Sequence, residues 1–239
     1  MEKNQGLVTP ERFASGMTFA QYLNFIATPE NLKREGSGGE PRRDMSAQIR
    51  AWYEGSRLSE AQVSALKWLV SQPRGPAKIL VISEEWSSDC RRDVPMLARM
   101  AEAASLELRI FTRDGQRFSQ SQQPSLADAP DSNADLMAKF MNVKNGQAWQ
   151  SIPVAAFYTR DFEYLYHYTE YPAIYHKDRL VHEHIRAPRP GETPEQSRER
   201  AAREFRALQE SPFFRIWACA GVDEILSALY ERLILGSLA

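Results

Sequence analysis

With 239 residues, 43% of them hydrophobic, the chain can bury a good-sized core, and at about 100–200 residues per domain it reads as one domain with additions. Thirty basic residues against 31 acidic ones leave a net charge of −1, which sets up no long-range field toward nucleic acid or an anionic membrane, so neither is expected as a partner. The opening MEKNQGLVTPERF lacks the apolar stretch of about 7–15 residues that a secretory signal needs, no run approaches the roughly 18 apolar residues of a membrane helix, and Cys90 and Cys219 read as free thiols of a cytoplasmic protein.

Thr9 is placed to cap a helix and Pro10 to begin it, and Phe13, Met17, Phe19, Ala20, Leu23 and Ile26 follow at loosely helical spacing. One or two helices are predicted as far as about Leu32. GSGGEP, from Gly36 to Pro41, is a flexible break, and DMSAQIRAWYEG then reads as a short helix ending at Gly55. Ser59 and Gln62 have capping-box spacing ahead of an apolar face that includes Leu66, Trp68, Leu69 and Val70. Residues 1–72 are thus expected to form a helical N-terminal extension.

AKILVIS, residues 77–83, is a short β-branched and aliphatic run without alternation, the pattern of a central strand covered on both faces. After the turn at Trp86–Cys90, RRDVPMLARMAEAA carries Val94, Leu97, Ala98 and Ala101 at helical spacing, with Pro95 inside the pattern and expected to kink it. LELRIFTRD, residues 106–114, is a second strand that the crossover helix makes parallel to the first. A long polar loop is predicted over 115–133 and a helix over 134–142. IPVAAFYT (152–159) and EYLYHYTEY (163–171) are separated only by RDF, which forces an antiparallel hairpin whose Tyr164, Tyr166 and Tyr168 are expected on one packed face. Helices complete the chain: about 173–186, a second with Thr193 as cap and Pro194 first, and a last one from PFFRIWACAG onward.

Strand, cysteine-bearing turn, helix with an internal proline, strand, helix, then Ile-Pro opening a hairpin: this order resembles the thioredoxin fold. The turn EEWSSDC resembles that family's W-C-x-x-C redox motif, with Trp86 in the tryptophan position, Ser87 where the attacking cysteine belongs and Cys90 as the resolving one. Pro95 matches the family's kink in the active-site helix, and Ile152-Pro153 falls where the family places its cis-proline. The longer pattern E-E-W-x-x-D-C-R-x-D-V-P is similar to bacterial thioredoxin-family proteins whose turn reads W-C-x-D-C and whose core carries helical extensions. The resemblance spans about residues 77–190. It implies an α/β thioredoxin-like fold with a central mixed sheet flanked by helices, helical extensions at both ends, and helices of 191–239 packed on the core. It also implies a substrate groove at Trp86, Ser88, Asp89, Ile152 and Pro153, and a protein or small-molecule thiol or disulfide as partner. No cofactor is implied.

Dithiol exchange needs an exposed thiolate to attack and a second thiol to resolve the mixed disulfide. A cysteine at the helix N-terminus gains acidity from the dipole and the unpaired amides. A serine there is a weak nucleophile and cannot form a disulfide, so this chain is expected to fail at ordinary exchange. Cys90 reads as a packed thiol that Asp89 disfavours further as a thiolate. Two other functions compete with an oxidoreductase silenced at Ser87: a redox-silent binding or scaffold protein, and a glutathione-handling protein in which Ser87 would hold the thiolate. Cys219, in IWACAGV, reads as a core thiol. His182 and His184 lie two apart on a predicted helix, with Glu183 between and His176 upstream, so they face different sides and no metal is expected. The arginines from Arg186 to Arg206 alternate with Glu192, Glu195, Glu199 and Glu204, as on a solvated helix face.

Overall fold

A computed structural model describes residues 8–236. At its centre four strands run in the order β2-β1-β5-β6. β1 (Lys78–Ser83) pairs parallel with β2 (Glu107–Thr112) and antiparallel with β5 (Val154–Tyr158), which pairs antiparallel with β6 (Tyr164–Thr169). The non-alternating KILVIS run is indeed interior, since Ile79 to Ser83 and all of β5 are buried. This is the expected mixed sheet, flanked by helices.

Nine α-helices lie among the described residues: α1 (Pro10–Ala14), α2 (Phe19–Ile26), α3 (Pro29–Leu32), α4 (Ser46–Gly55), α5 (Glu60–Ser71), α6 (Ser88–Ala104), α7 (Ala134–Met137), α8 (Pro194–Glu210) and α9 (Pro212–Leu235). Thr9, Ser59 and Thr193 each accept a hydrogen bond at the helix start as their sequence positions predict, the last two within reciprocal capping boxes. Pro95 lies inside α6 and removes one amide from its ladder. α6 packs against β1 and against α4, α5 and α9. Tyr168 of β6 donates to Asp93 of α6 and lies against Gly221 of α9, whereas its neighbour His167 meets Phe140 beyond α7. Successive strand residues point to opposite faces, so α6 and α9 cover one side of the sheet and the segment after α7 lies on the other.

Both terminal stretches contribute to the same core. Phe13, Tyr22, Leu23 and Ile26 from the N-terminal stretch, and Val222, Ile225 and Leu229 from α9, join the side chains of the sheet. Residues 1–7 of the expected N-terminal extension and 237–239 of the C-terminal one lie outside the described residues.

Four local readings change. The stretch to Leu32 forms three short helices rather than one or two. It breaks at Gly16, where a Cβ would stand 2.6 Å from the Phe111 ring, and there Met17 exchanges backbone hydrogen bonds of 2.9 and 2.7 Å with Ile110 on the outer edge of β2. The helix expected over 134–142 stops at Met137, and a hairpin of β3 (Asn142–Lys144) and β4 (Gln147–Trp149) follows. Asn145 (φ 52°) and Gly146 (φ 76°) make its turn, the positive-φ pair that Asn-Gly favours and a helix cannot hold. The segment expected as a helix over 173–186 is a π-helical stretch, Asp178–Ile185. A register shift between Phe157 and Tyr158 interrupts the alternation of β6, and the Tyr164 hydroxyl bonds His167 Nδ1, so the three tyrosines do not form one uniform row.

A Cβ at position 146 meets nothing within 4 Å, so Gly146→Val tests the backbone conformation alone. We expect it to weaken the hairpin by about 1–2 kcal/mol. Hydrogen exchange of the 142–149 amides should quicken while the global unfolding midpoint stays in place.

Candidate functional site

The end of β1 carries two acidic residues, Glu84 and Glu85, neither exposed at all. A buried carboxylate must find cations and donors or lose its charge. Here Glu84 accepts from Arg42 Nη1 at 2.6 Å, Arg34 Nη2 at 3.1 Å and the Asp114 amide at 2.7 Å. Glu85 accepts from Arg42 Nη1 at 2.8 and 2.9 Å and from Asn31 Nδ2 at 3.1 Å. Arg34 also donates to the carbonyls of Asp114 and Gly115. The turn is therefore held from below by the segment between α3 and α4, which lies far off in sequence.

From this platform the chain turns into α6. Ser87 is its N-cap, and its Oγ accepts from the Cys90 amide at 3.4 Å. The hydroxyl thus does the work of a helix cap. Cys90 is 1% exposed, and burial pushes its thiol up to about 12 even though hydrogen bonds from Ser83, the Glu84 backbone and Ser87 act the other way. Cys219 is half-buried on α9, and both cysteines are free thiols.

Above the turn lies a cleft of about 330 Å³. Trp86, Ser87, Asp89 and Ile152 line it, so four of the sequence-predicted site residues come together. Ser88 sits half-buried in the first turn of α6, and Cys90 and Pro153 are buried, none of the three on the cleft wall. The Ile152–Pro153 bond is cis. Trp86 meets Phe118 edge to face at 5.6 Å, and the Arg113 guanidinium stands 5.1 Å from both ring centroids. Arg113 also pairs with Asp114 and donates to the carbonyls of Gln150 and Ser119, which draws the polar loop in as one wall. Trp149, 50% exposed on β4, stands at the rim.

The opposite wall is ionic. Asp89 accepts from Arg92 at 2.9 Å and from Lys177 at 2.5 Å, and Lys177 also bonds Glu170 at 3.1 Å. Arg92, fully buried, grips Asp93 with two donors, and Tyr168 donates to the same carboxylate. Burial alone would raise the Glu170 carboxyl, but Lys177 and Lys144 hold it below its ordinary value. Burial would likewise lower Lys177, and Asp89 with Glu170 carry it well above. Arg113, Phe118, Trp149, Glu170 and Lys177 escaped the sequence reading. The Asn-Gly pair ahead of Trp149 was the one local signal that pointed toward any of them. The histidines do not assemble: His182 stands 3.8 Å from Asp178 across one helical turn, and among the described residues no three His, Cys, Asp or Glu side chains are grouped to hold a metal.

A family model described as thioredoxin matches residues 40–130, from the segment ahead of α4 into the polar loop. No curated protein matches the chain. A crystal structure of a protein of unknown function from Pseudomonas aeruginosa superposes with a TM-score of 0.51 at 14% identity, covering 94% of this chain and 98% of that one. An HIV epitope-scaffold superposes with a TM-score of 0.50, again at 14% identity and with the same coverage. Strand order, the helix that starts at the cysteine-bearing turn and the family match agree: the fold is thioredoxin-like.

Two outcomes follow from the geometry. Arg42→Ala leaves two buried carboxylates short of their shared cation and should cost about 3–5 kcal/mol in denaturant unfolding, whereas removing the exposed Arg74–Glu163 pair with Arg74→Ala should cost under about 0.5 kcal/mol. Burial raises the half-buried Cys219 thiol as well, so iodoacetamide should modify Cys219 slowly in the native protein, faster at mildly alkaline pH, and leave Cys90 untouched until denaturant is added, as mass spectrometry of the tryptic peptides would read. Because the raised Cys90 pKa leaves almost no thiolate at neutrality, any native labelling of Cys90 should grow as the pH climbs toward 12.

Proposed function

We propose that this thioredoxin-fold protein derives from the thiol-disulfide oxidoreductase pattern, lacks dithiol exchange in its own right because Ser87 holds the place of the attacking thiol, and uses the cleft beside Trp86 to hold a protein or small-molecule partner. The observation that carries the reading is the pairing of Ser87 and Cys90. The outer residue is a hydroxyl committed to capping α6, and the inner one is a buried thiol whose pKa is pushed up to about 12. Neither supplies a thiolate at neutral pH. The cleft itself is intact, with an aromatic wall at Trp86 and Phe118 and an ionic wall at Asp89, Glu170 and Lys177. A glutathione role finds less support, because the Ser87 hydroxyl is engaged with the Cys90 amide and Cys90 lies beneath it.

Substitution at one position tests the first half. In Ser87→Cys the new thiol stands at the helix N-terminus, where its thiolate can attack a substrate disulfide, release one sulfur as a thiolate and be resolved by Cys90. Insulin reduction by dithiothreitol should run at the uncatalysed rate with the parent chain and clearly above it with Ser87→Cys; catalysis by the parent would refute the proposal. For the second half, Ser87→Cys combined with Cys90→Ser should trap the partner as a mixed disulfide. That partner, once identified, should bind the parent chain without any thiol and about tenfold more weakly after Trp86→Ala. A trapped partner that the parent chain does not hold would argue against a binding role.

A further inference from the structure

A second cavity, of about 310 Å³, opens where α4, α6, α8 and α9 meet, away from the cleft. Three guanidinium groups line it, Arg91 from α6, Arg206 from α8 and Arg215 from α9, with Trp52 and Phe214 as apolar wall and Glu210 as its one acidic residue. None of the three arginines is paired with a carboxylate among the described residues. Arg91 is half-buried, and its hydrogen bonds all go to uncharged oxygens: the carbonyls of Glu85 and Trp86, each at 2.9 Å, and Gln209 Oε1 at 3.0 Å. Arg215 donates to the Gly55 carbonyl at 3.2 Å and stands 5.5 Å from the Trp52 ring centroid. Arg206 makes no hydrogen bond or ion pair among the described residues.

Arg91 departs from how the chain treats its other enclosed arginines, whereas Arg206 and Arg215 are exposed. Arg34, Arg42, Arg92 and Arg200 each sit against a carboxylate. Burial pulls the Arg91 guanidinium below its ordinary value, the mark of a partly desolvated charge that nearby acids do not fully offset. The same corner holds the start of the 24-residue α9, where the Ser211 hydroxyl turns back to the Leu208 carbonyl, Pro212 has no amide to give and the Phe214 amide bonds the Ser211 carbonyl, so the helix brings the positive end of its dipole to the cavity. Three guanidinium groups lining one cavity, each with N–H donors left over from its protein partners, favour a doubly charged tetrahedral group over a single carboxylate, and the Trp52 and Phe214 wall suits an apolar body attached to it. The volume is at the lower end for small-molecule sites.

We propose that this cavity binds a small organic phosphate monoester. The site is independent of the cleft and of whatever the cleft holds. Phenyl phosphate is a suitable probe, titrated calorimetrically at low ionic strength with benzoate as the singly charged control. Phenyl phosphate should bind measurably and benzoate at least about tenfold more weakly. Arg206→Ala and Arg215→Ala, both at exposed positions, should each weaken phenyl phosphate by roughly tenfold, and raising the salt to about 0.5 M should weaken it further. Trp86→Ala should leave it unchanged, which separates this site from the proposed function. The inference is overturned if phenyl phosphate gives no binding heat at about 10 mM, if benzoate binds as tightly, or if binding survives in a folded Arg206→Ala/Arg215→Ala double variant.

Discussion

Two adjacent carboxylates buried at the end of the central strand set the terms for much of this molecule. Burying Glu84 and Glu85 is costly unless cations stand at close range, and those cations are Arg34 and Arg42 from the segment between α3 and α4. Arg34 also reaches the start of the polar loop, where it bonds the Asp114 and Gly115 carbonyls while Glu84 takes the Asp114 amide. Glu35, next to Arg34, accepts from the Phe118 amide at 3.0 Å. The position of Phe118, and with it the aromatic wall against Trp86, thus follows from neutralising two acids on the far side of the turn. The N-terminal stretch is part of what shapes the cleft.

A second ionic group does the same for the opposite wall. Arg92 and Lys177 converge on Asp89, and Asp93, Tyr168 and Glu170 tie α6 to β6 and to the start of the π-helical stretch. Between these two anchored walls the first turn of α6 has little freedom. A thiol at position 87 would meet the dipole and amides that lower a cysteine pKa; the hydroxyl that is there simply caps the helix. The shape of this turn and the chemistry of residue 87 are therefore separable facts, the first built by packing and ion pairs, the second by one side chain.

The elements that sequence reading located are those whose information is local. KILVIS shows its burial by lack of alternation, the β5–β6 hairpin by its short connection, and α5 and α8 by their caps. Trp86, Ser87, Asp89 and Ile152 were legible through motif positions, and they do share a cleft. The misread parts have physical reasons. The helix predicted over 134–142 stops at Met137, because Asn145-Gly146 demands a reversing turn just beyond it and the residues before that turn pair as a hairpin. The break between α1 and α2 comes at Gly16, which packs against the Phe111 ring, a contact between residues far apart in sequence, and the one between α2 and α3 falls where Thr28 caps and Pro29 restarts the helix. Arg42 and Glu84, or Lys177 and Asp89, are joined only by folding, and nothing in the composition of either segment announces the other. Arg113, Phe118 and Lys177 were missed for this reason.

The backbone exchange between Met17 and Ile110 bears on how molecules of this chain meet one another. A row of free amides and carbonyls along an outer strand invites a foreign strand to dock and extend the sheet. At β2 that row is interrupted midway by a residue of the same chain, so an incoming segment finds no uninterrupted ladder to copy. Self-association through continuous strand addition is blocked on this flank, and the obstruction is supplied by one of the earliest described stretches of the polypeptide.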